Sequence, residues 1–251
     1  MSIGTTYRTY TFRLYPNHQQ EFKLVDTIRA NCAVYNELLP LVRKGVFSRN
    51  ELNYALTELK EEQQWLRAYH SKMLQMISTR LAASVKSLNE KKKRGYMVGE
   101  IHHSPSEQFS SFTYNQSGFK IEKHGDTNLL WLSKIGYMEI RLHMNIDRIK
   151  QVTVIQRNKK WYALLVCIFS RPITMFINPT KSIGIDVGIK KFCHDSQNRA
   201  IENPLYLSNK LRRLKRSSRT LSHRLKNSRN MRKAKSRLQI LHARIRNKRR
   251  D

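Results

Sequence analysis

Apolar positions change period along the chain, and each change predicts a different kind of structure. From Thr5 to Leu14, Tyr7, Tyr10, Phe12 and Leu14 are interleaved with polar residues, which predicts one strand. Pro16 and Asn17 end it, and Asn17 can cap the helix that follows. From His18 to Val42 the residues Phe22, Leu24, Val25, Ile28, Cys32, Val34, Tyr35, Leu38 and Leu39 recur at helical spacing. A second helix, capped by Ser48 or Asn50, carries Leu52, Leu56 and Leu59. A third starts at Ser71, sets Leu74, Ile77, Leu81, Val85 and Leu88 on one face, and ends near Lys93. These segments predict a small helical bundle.

Gly95 to Glu107 holds Pro and His, lacks periodicity and reads as a linker. Short strands follow: Phe109–Asn115, Gly118–Glu122, Leu129–Leu132, Met138–Leu142, Ile149–Gln156 and Lys160–Phe169. Turn residues separate them at strand-length spacing, which favours a small β-barrel with Trp131 and Trp161 in its core. Pro172 and Pro179 flank a second linker. Beyond it, Ile183, Ile185, Val187 and Ile189 give a β-branched strand, continued by a hairpin through Phe192–Asp195 and Arg199–Glu202.

After Tyr206 the period is helical again. Leu211, Leu214, Leu221 and Leu225 mark one face, and Ala234, Leu238, Leu241 and Ile245 a second, with a break at Asn227–Asn230. Nearly every other position is basic, and Asp251 is the only acid after Glu202. This predicts an antiparallel helical pair with a leucine seam and a cationic outer surface suited to a phosphate backbone.

Charge extends that reading to the whole chain. Lys and Arg number 48 in 251 residues, and the formal net charge is +30. Self-repulsion at this charge calls for a polyanionic partner, and basic residues spread over much of the sequence favour nucleic acid over a membrane surface. Cys32, Cys167 and Cys193 form no CxxC, so a zinc ribbon and a disulfide framework are not expected in these residues. His102, His103 and His194 lack metal-ligand spacing. The N-terminus resembles neither a signal nor a transit peptide, and Trp161–Phe169, the longest apolar run, is too short to cross a bilayer; a cytoplasmic, nucleoid-associated protein is expected.

One carboxylate stands out. Asp186 lies on the apolar strand between Gly184 and Gly188. A lone buried Asp is costly without a cation, and Mg²⁺ is the usual partner in phosphoryl-transfer sites. The other reading of the same pattern is a strand end whose Asp accepts from nearby backbone amides.

In order, these segments resemble the transposon-encoded TnpB family, relatives of the type V CRISPR effectors. TFRLYPNHQQEFKL is similar to the family's opening strand and helix, and NCAVYNELL to its first-helix signature. KIGYMEIRLH with VTVIQRNKKWYALLV resembles the barrel pair before the nuclease domain, IGIDVGIKKF the first RuvC motif, and residues 209–251 its basic helical insertion. The resemblance implies an α+β multidomain fold. Residues 1–16 would give the first strand of the β-barrel (wedge) domain, 17–106 a helical recognition bundle, 107–180 the rest of the barrel, and 181–251 an incomplete RNase H-like (RuvC) α/β domain with the basic hairpin.

The resemblance also implies a guide RNA, with double-stranded target DNA recognised beside a short motif and sequence read by base pairing. For the motif it points to Arg49, Asn53, Ser71, Lys72 and Gln75, with exposed helix polarity the alternative for Asn53 and Gln75. For RNA or heteroduplex backbone it points, as a surface, to Arg212, Arg213, Lys215, Arg216, Arg219, Arg224, Lys233, Lys235 and Arg237. Tyr35 and Asn36 could touch nucleic acid, although helix packing suits Tyr35. RGYMVGEIHHSPSEQ stands where the family tends to carry an aromatic-proline-basic motif.

Of the family's three nuclease carboxylates only Asp186 has a match, as a relic metal position. Asp195 and Glu202 match no catalytic position, and the sequence stops before the family's later motifs and four-Cys zinc ribbon. Binding would then require no metal. The expected function is RNA-guided DNA binding without cleavage, repressing transcription. The alternatives are an endonuclease whose missing carboxylates come from another chain, and a decayed or accessory RNA-binding form. An apolar edge at Ile183–Ile189 would need cover from RNA, from the chain's own helices or from a second copy.

Overall fold

The computed structural model describes residues 6–146, 148–169 and 182–248, which divide into two compact units within 1–172 and 173–251. The second predicted linker, from Pro172 to Pro179, lies outside the described residues.

In the first unit, strand β1 (Thr6–Tyr15) leads into three helices: α1 (His18–Arg43), α2 (Arg49–Glu62) and α3 (Ser71–Lys93). Asn17 and Gln20 close a reciprocal capping box at the start of α1, and Ser48 and Glu51 do the same for α2. A short 3₁₀ turn, Gln64–Ala68, joins α2 to α3. Six strands follow: β2 (Ser111–Asn115), β3 (Phe119–His124), β4 (Thr127–Leu132), β5 (Gly136–Arg141), β6 (Arg148–Arg157) and β7 (Lys160–Phe169).

These strands and β1 form a seven-stranded sheet in the order β2-β6-β7-β1-β5-β4-β3, with every neighbouring pair antiparallel. The helices are therefore inserted between the central strand and the rest of its sheet. Strands β2 and β3 lie at opposite edges, yet only Gln116–Gly118 separates them in sequence, so the sheet must curl to bring its edges together. The Tyr114 hydroxyl closes the curl by donating to the Ser133 carbonyl at 2.7 Å.

One continuous core joins the bundle to the sheet. Phe12 and Leu14 from β1, Leu24 and Leu38 from α1, Leu74 and Leu81 from α3, and Leu130, Val152 and Leu165 from the sheet all belong to it. Trp161 is buried in this core, and its indole N–H donates to the Glu21 carboxylate at 3.1 Å. Trp131 departs from expectation. It is half-buried, with the Lys120 ammonium 5.5 Å from its ring centre, because its place in the alternation of β4 turns it away from the core residues Leu130 and Leu132.

The segment after α3 is a strap across α1. Asn36 holds Ser104 through two backbone bonds, its Nδ2 donating to the carbonyl and its Oδ1 accepting from the N–H, both at 3.0 Å. The Cys32 thiol donates to the same carbonyl at 3.2 Å. Tyr35 donates to the His102 carbonyl and meets the Phe109 ring edge-on, while Arg43 donates to the Ile101 carbonyl. Cys32, Tyr35 and Asn36 of the NCAVYNELL segment are thus occupied in holding backbone.

In the second unit, β8 (Ile185–Val187), β9 (Lys191–Asp195) and β10 (Ala200–Glu202) form an antiparallel three-stranded sheet in the order β10-β9-β8. Two helices follow, α4 (Ser208–Ser222) and α5 (Arg229–Lys248). Their seam is thinner than the leucine pattern predicts. Leu214, Leu241 and Ile245 are buried with Leu238 packed against them, whereas Leu211 is exposed and Leu225, beyond the end of α4, is 80% exposed. Asn227, at φ +63°, turns the chain between the helices, and Ser228 caps α5 by accepting from the Met231 N–H.

Candidate nucleic-acid interface

The residues expected at a DNA motif fall into two places on the α2–α3 hairpin. The end of α2 meets the start of α3, where the Lys60 ammonium donates to the Ser71 hydroxyl at 2.6 Å. Ser71 and Lys72 are exposed in the first turn of α3, and Gln75 is half-buried one turn further on. Arg49 opens α2, eleven residues before Lys60, hence roughly 16 Å away at the ordinary helical rise. Asn53 lies between these ends, half-buried, with its Oδ1 sealed from solvent and without a hydrogen-bond partner.

Lys60, His70 and Lys134 join Ser71 and Lys72 without having been singled out by the sequence. His70 packs its ring on Tyr114 at 5.3 Å and against Gly118, where a Cβ would meet its Nε2 at 2.7 Å. Burial lowers the His70 pKa, and the charges of Lys72, Lys60 and Lys134 lower it further. The first turn of α3 contains no acidic residue. The only advance signal was the placing of Lys60 at one end of the α2–α3 connection and His70 at the other.

The nine basic residues expected at a phosphate backbone are eight on α4 and α5 and Arg224 just past α4, and all but one divide between two clefts. Arg212, Arg213, Arg216, Arg224, Lys233 and Arg237 line one open groove of about 770 Å³ between α4 and α5, with Asn209, Ser217, Thr220, Asn230 and Ala234. No carboxylate is among its lining residues. Lys215 and Arg219 flank a second cleft with Arg212, Arg216, Thr220 and His223, and Lys235 lines neither. The groove thus combines six cations with hydroxyl and amide groups able to hydrogen-bond phosphate and sugar oxygens.

Asp186 is exposed, which corrects the expectation of a buried carboxylate, and nothing among the described residues donates to its side chain. It sits on the edge strand β8, directly across from His194. Asp195 is paired with Ile185 and so belongs to the opposite face from Asp186. It is also engaged: its carboxylate accepts from the Gln197 and Arg199 N–H groups and from the Arg199 side chain at 2.7 Å. The Arg199 backbone bond, more than any other contact, holds the Asp195 pKa below the usual carboxylate range. The carboxylate bonded to local amides is therefore Asp195, not Asp186. Glu202, on β10, is two strand spacings from β8, roughly 9–10 Å. The described residues contain no group of three or more His, Cys, Asp or Glu able to hold a metal.

Ile185, Val187 and Ile189, and Phe192 and Ile201 on the neighbouring strands, are all more than half exposed, so among the described residues nothing covers the apolar side chains of the β8 segment. No helix among the described residues is long and apolar enough to cross a membrane.

Comparison with known proteins matches residues 166–251 to the OrfB_IS605 family, described as a probable transposase, and residues 1–44 to its helix-turn-helix domain. InsQ of Escherichia coli (strain K12), by its name a candidate RNA-guided DNA endonuclease, is 28% identical over 97% of this chain and 61% of its own length. A protein of Streptomyces pristinaespiralis with the same candidate designation is 26% identical over 97% and 61%. This chain thus spans about 61% of the length of both relatives. A Cas12f ternary complex aligns at a TM-score of 0.36 and 13% identity, covering 92% of this chain and 56% of that one. A Cas12f1–sgRNA–target DNA complex aligns at 0.38 and 14%, covering 95% and 64%. At both ends and along nearly its whole length, the chain is thus similar in sequence to the OrfB_IS605 family, the TnpB proteins.

Proposed function

We propose that this chain binds a guide RNA and, through it, a matching DNA duplex beside a short motif, and that it occupies the target without cutting it. Repression would follow by steric block where the target overlaps a promoter. The observation that carries the reading is the α4–α5 groove, whose six cations have no carboxylate among the lining residues. Like charges this crowded repel one another, and a phosphate backbone relieves the repulsion while releasing its own counterions. Lys60, Ser71 and Lys72 at the head of α3 are the better-assembled candidates for DNA contact, and Arg49 would touch a separate part of the duplex.

RNA guidance is brought to this chain from the named designation of its relatives, and cleavage is left out for a chemical reason. In-line displacement by two metals needs several carboxylates converging within a few ångströms. Asp186 is exposed, Asp195 faces the other way and is bonded to Arg199, and Glu202 is two strands off. Mg²⁺-dependent cutting does not fit this set, and no step is assigned to it.

One observation favours a second reading. The uncovered β8 edge is what an incomplete sheet presents, so another chain could complete it and supply carboxylates. The test is to purify the protein expressed from its own locus, sequence the bound RNA, and add RNA-matched DNA with Mg²⁺. Tight RNA-dependent binding without cleavage is the expected result. Cleavage lost in Asp186→Ala would establish the second reading instead. Absence of any discrete RNA would remove both and leave an accessory or decayed form. A reporter carrying the matched site at its promoter then tests repression.

A further inference from the structure

Residues 95–99, between the end of α3 and the strap on α1, present an aromatic and a thioether to solvent. Tyr96 is 64% exposed and Met97 is fully exposed. Both ends of this short segment are fixed. Gly95, at φ +80°, takes the left-handed position that ends α3, its N–H donating to the Lys92 carbonyl and the Tyr96 N–H to that of Lys91. On the other side Val98 is half-buried, Ile101 packs against the core, and Arg43, Tyr35 and Asn36 hold the backbone from Ile101 to Ser104. The tip is therefore presented by rigid flanks. Its exposure is not that of a fraying end.

Its chemical setting selects a partner. Lys91, Lys92, Lys93 and Arg94 are exposed immediately before it, against the two exposed acids Glu90 and Glu100. An open cleft of about 600 Å³ runs along this end, formed by Leu88, Lys91, Arg94, Tyr96, Met97 and Val98. A flat ring and a polarizable side chain beside a run of cations match a nucleobase face with its phosphates alongside. Apolar side chains flanked by Lys and Arg are also how proteins enter or cap a base stack. An apolar protein partner would gain nothing from the four cations.

We propose that Tyr96 and Met97 form a base-stacking finger that takes the exposed nucleobase at a junction between paired and unpaired nucleic acid, with Lys91–Arg94 on the adjoining phosphates. This rests on the nucleic-acid reading above and adds a contact outside the α2–α3 and α4–α5 candidates. The base could belong to RNA or to DNA; the chemistry is shared, and the probes separate the two.

The experiment uses the full chain with two synthetic forks of the same sequence, one DNA and one RNA, each carrying 5-iodouracil at the first unpaired position. Irradiation, digestion and mass spectrometry then locate the crosslink. A crosslink at Tyr96 is expected with one fork or both, and the fork that reacts identifies the source. Tyr96→Ala should weaken binding of that fork by about 5- to 100-fold while leaving a blunt duplex of equal length unaffected. Tyr96→Phe should restore fork binding, because stacking needs the ring and not the hydroxyl. Tyr96 is exposed, so thermal melting of Tyr96→Ala serves as a control and should not shift. Crosslinks on α4 or α5 with none on the peptide beginning at Gly95 would overturn the finger and leave the nucleic-acid reading standing, as would unchanged fork binding by Tyr96→Ala. Failure of every probe to bind would overturn both.

Discussion

His70 is the residue whose environment differs most from what its neighbours in sequence suggest. It precedes α3 at a position where Ser, Thr, Asp or Asn would cap, and its side chain makes no cap bond. Instead the ring fills the space between Tyr114 and Gly118, and its Nδ1 is buried without a partner. Burial and three lysines hold its pKa below the ordinary imidazole value of about 6.5. Above that value both folded and unfolded chains carry neutral imidazole, and His70 adds no pH dependence. As the pH falls through it, the unfolded chain takes up a proton that the folded one resists, so stability decreases toward acid. Urea midpoints measured at about pH 7.5 and about pH 5.5 should separate for the wild type, and His70→Phe, which keeps a ring but cannot titrate, should narrow the gap. An unchanged gap would mean that the imidazole titrates freely. Asp186 shows why such environments escape a sequence reading. Alternation correctly placed it on a strand, but burial depends on what lies above the strand face, and no local pattern encodes that.

At the scale of elements, the long-period patterns were the legible ones. The three helices of the first unit begin where the sequence predicted, the first two because capping by Asn17 and Ser48 agrees with apolar periodicity, the third, at Ser71, on periodicity without a side-chain cap. The segment from Gly95 to Glu107 has no period, yet side chains of α1 hold its 101–104 stretch in place. A segment fixed through its backbone leaves no hydrophobic trace. The C-terminal pair shows the reverse error. Eight apolar positions at helical spacing promised a full seam, but three side chains are buried in it. Leu225 falls past the end of α4 and Leu211 stays exposed, so neither joins the seam. So thin a seam should not survive truncation. Leu241→Ala removes burial that costs about 2–5 kcal/mol in a packed core, a large share of what holds α4 against α5. Hydrogen exchange should then show amides 208–248 losing protection while amides of α1 and β7 keep theirs. Retained protection in both segments would show that the pair is held by contacts other than this seam.

For the whole molecule the governing quantity is charge. With a net charge of +30, folding brings cations closer together than in the expanded chain, so repulsion works against the folded state. Screening weakens that repulsion within a Debye length of about 10 Å at 0.1 M salt. The same salt weakens binding to a polyanion, because each counterion released gains less entropy as the bulk concentration rises. The free protein and its nucleic-acid complex should therefore respond to salt with opposite signs. Without RNA, the melting temperature should rise as NaCl is raised from about 0.05 M to about 0.3 M, since only self-repulsion is being screened. With RNA bound it should start higher and fall over the same range, because the ligand's contribution to stability shrinks with its affinity. Replacing Arg212, Arg213, Arg216 and Arg237 by Gln should flatten both trends: four fewer charges repel in the free protein, and four fewer phosphates are neutralised in the complex, reducing the slope of log K against log salt by about 3. If the free protein instead melts lower as salt rises, attractive ion pairs outweigh repulsion. The Lys and Arg ion pairs found among the described residues, Lys120–Glu122 and Arg199–Asp195, are too exposed to produce that result. A slope untouched by the four substitutions would move the polyanion away from the α4–α5 groove and onto the cations at the head of α3.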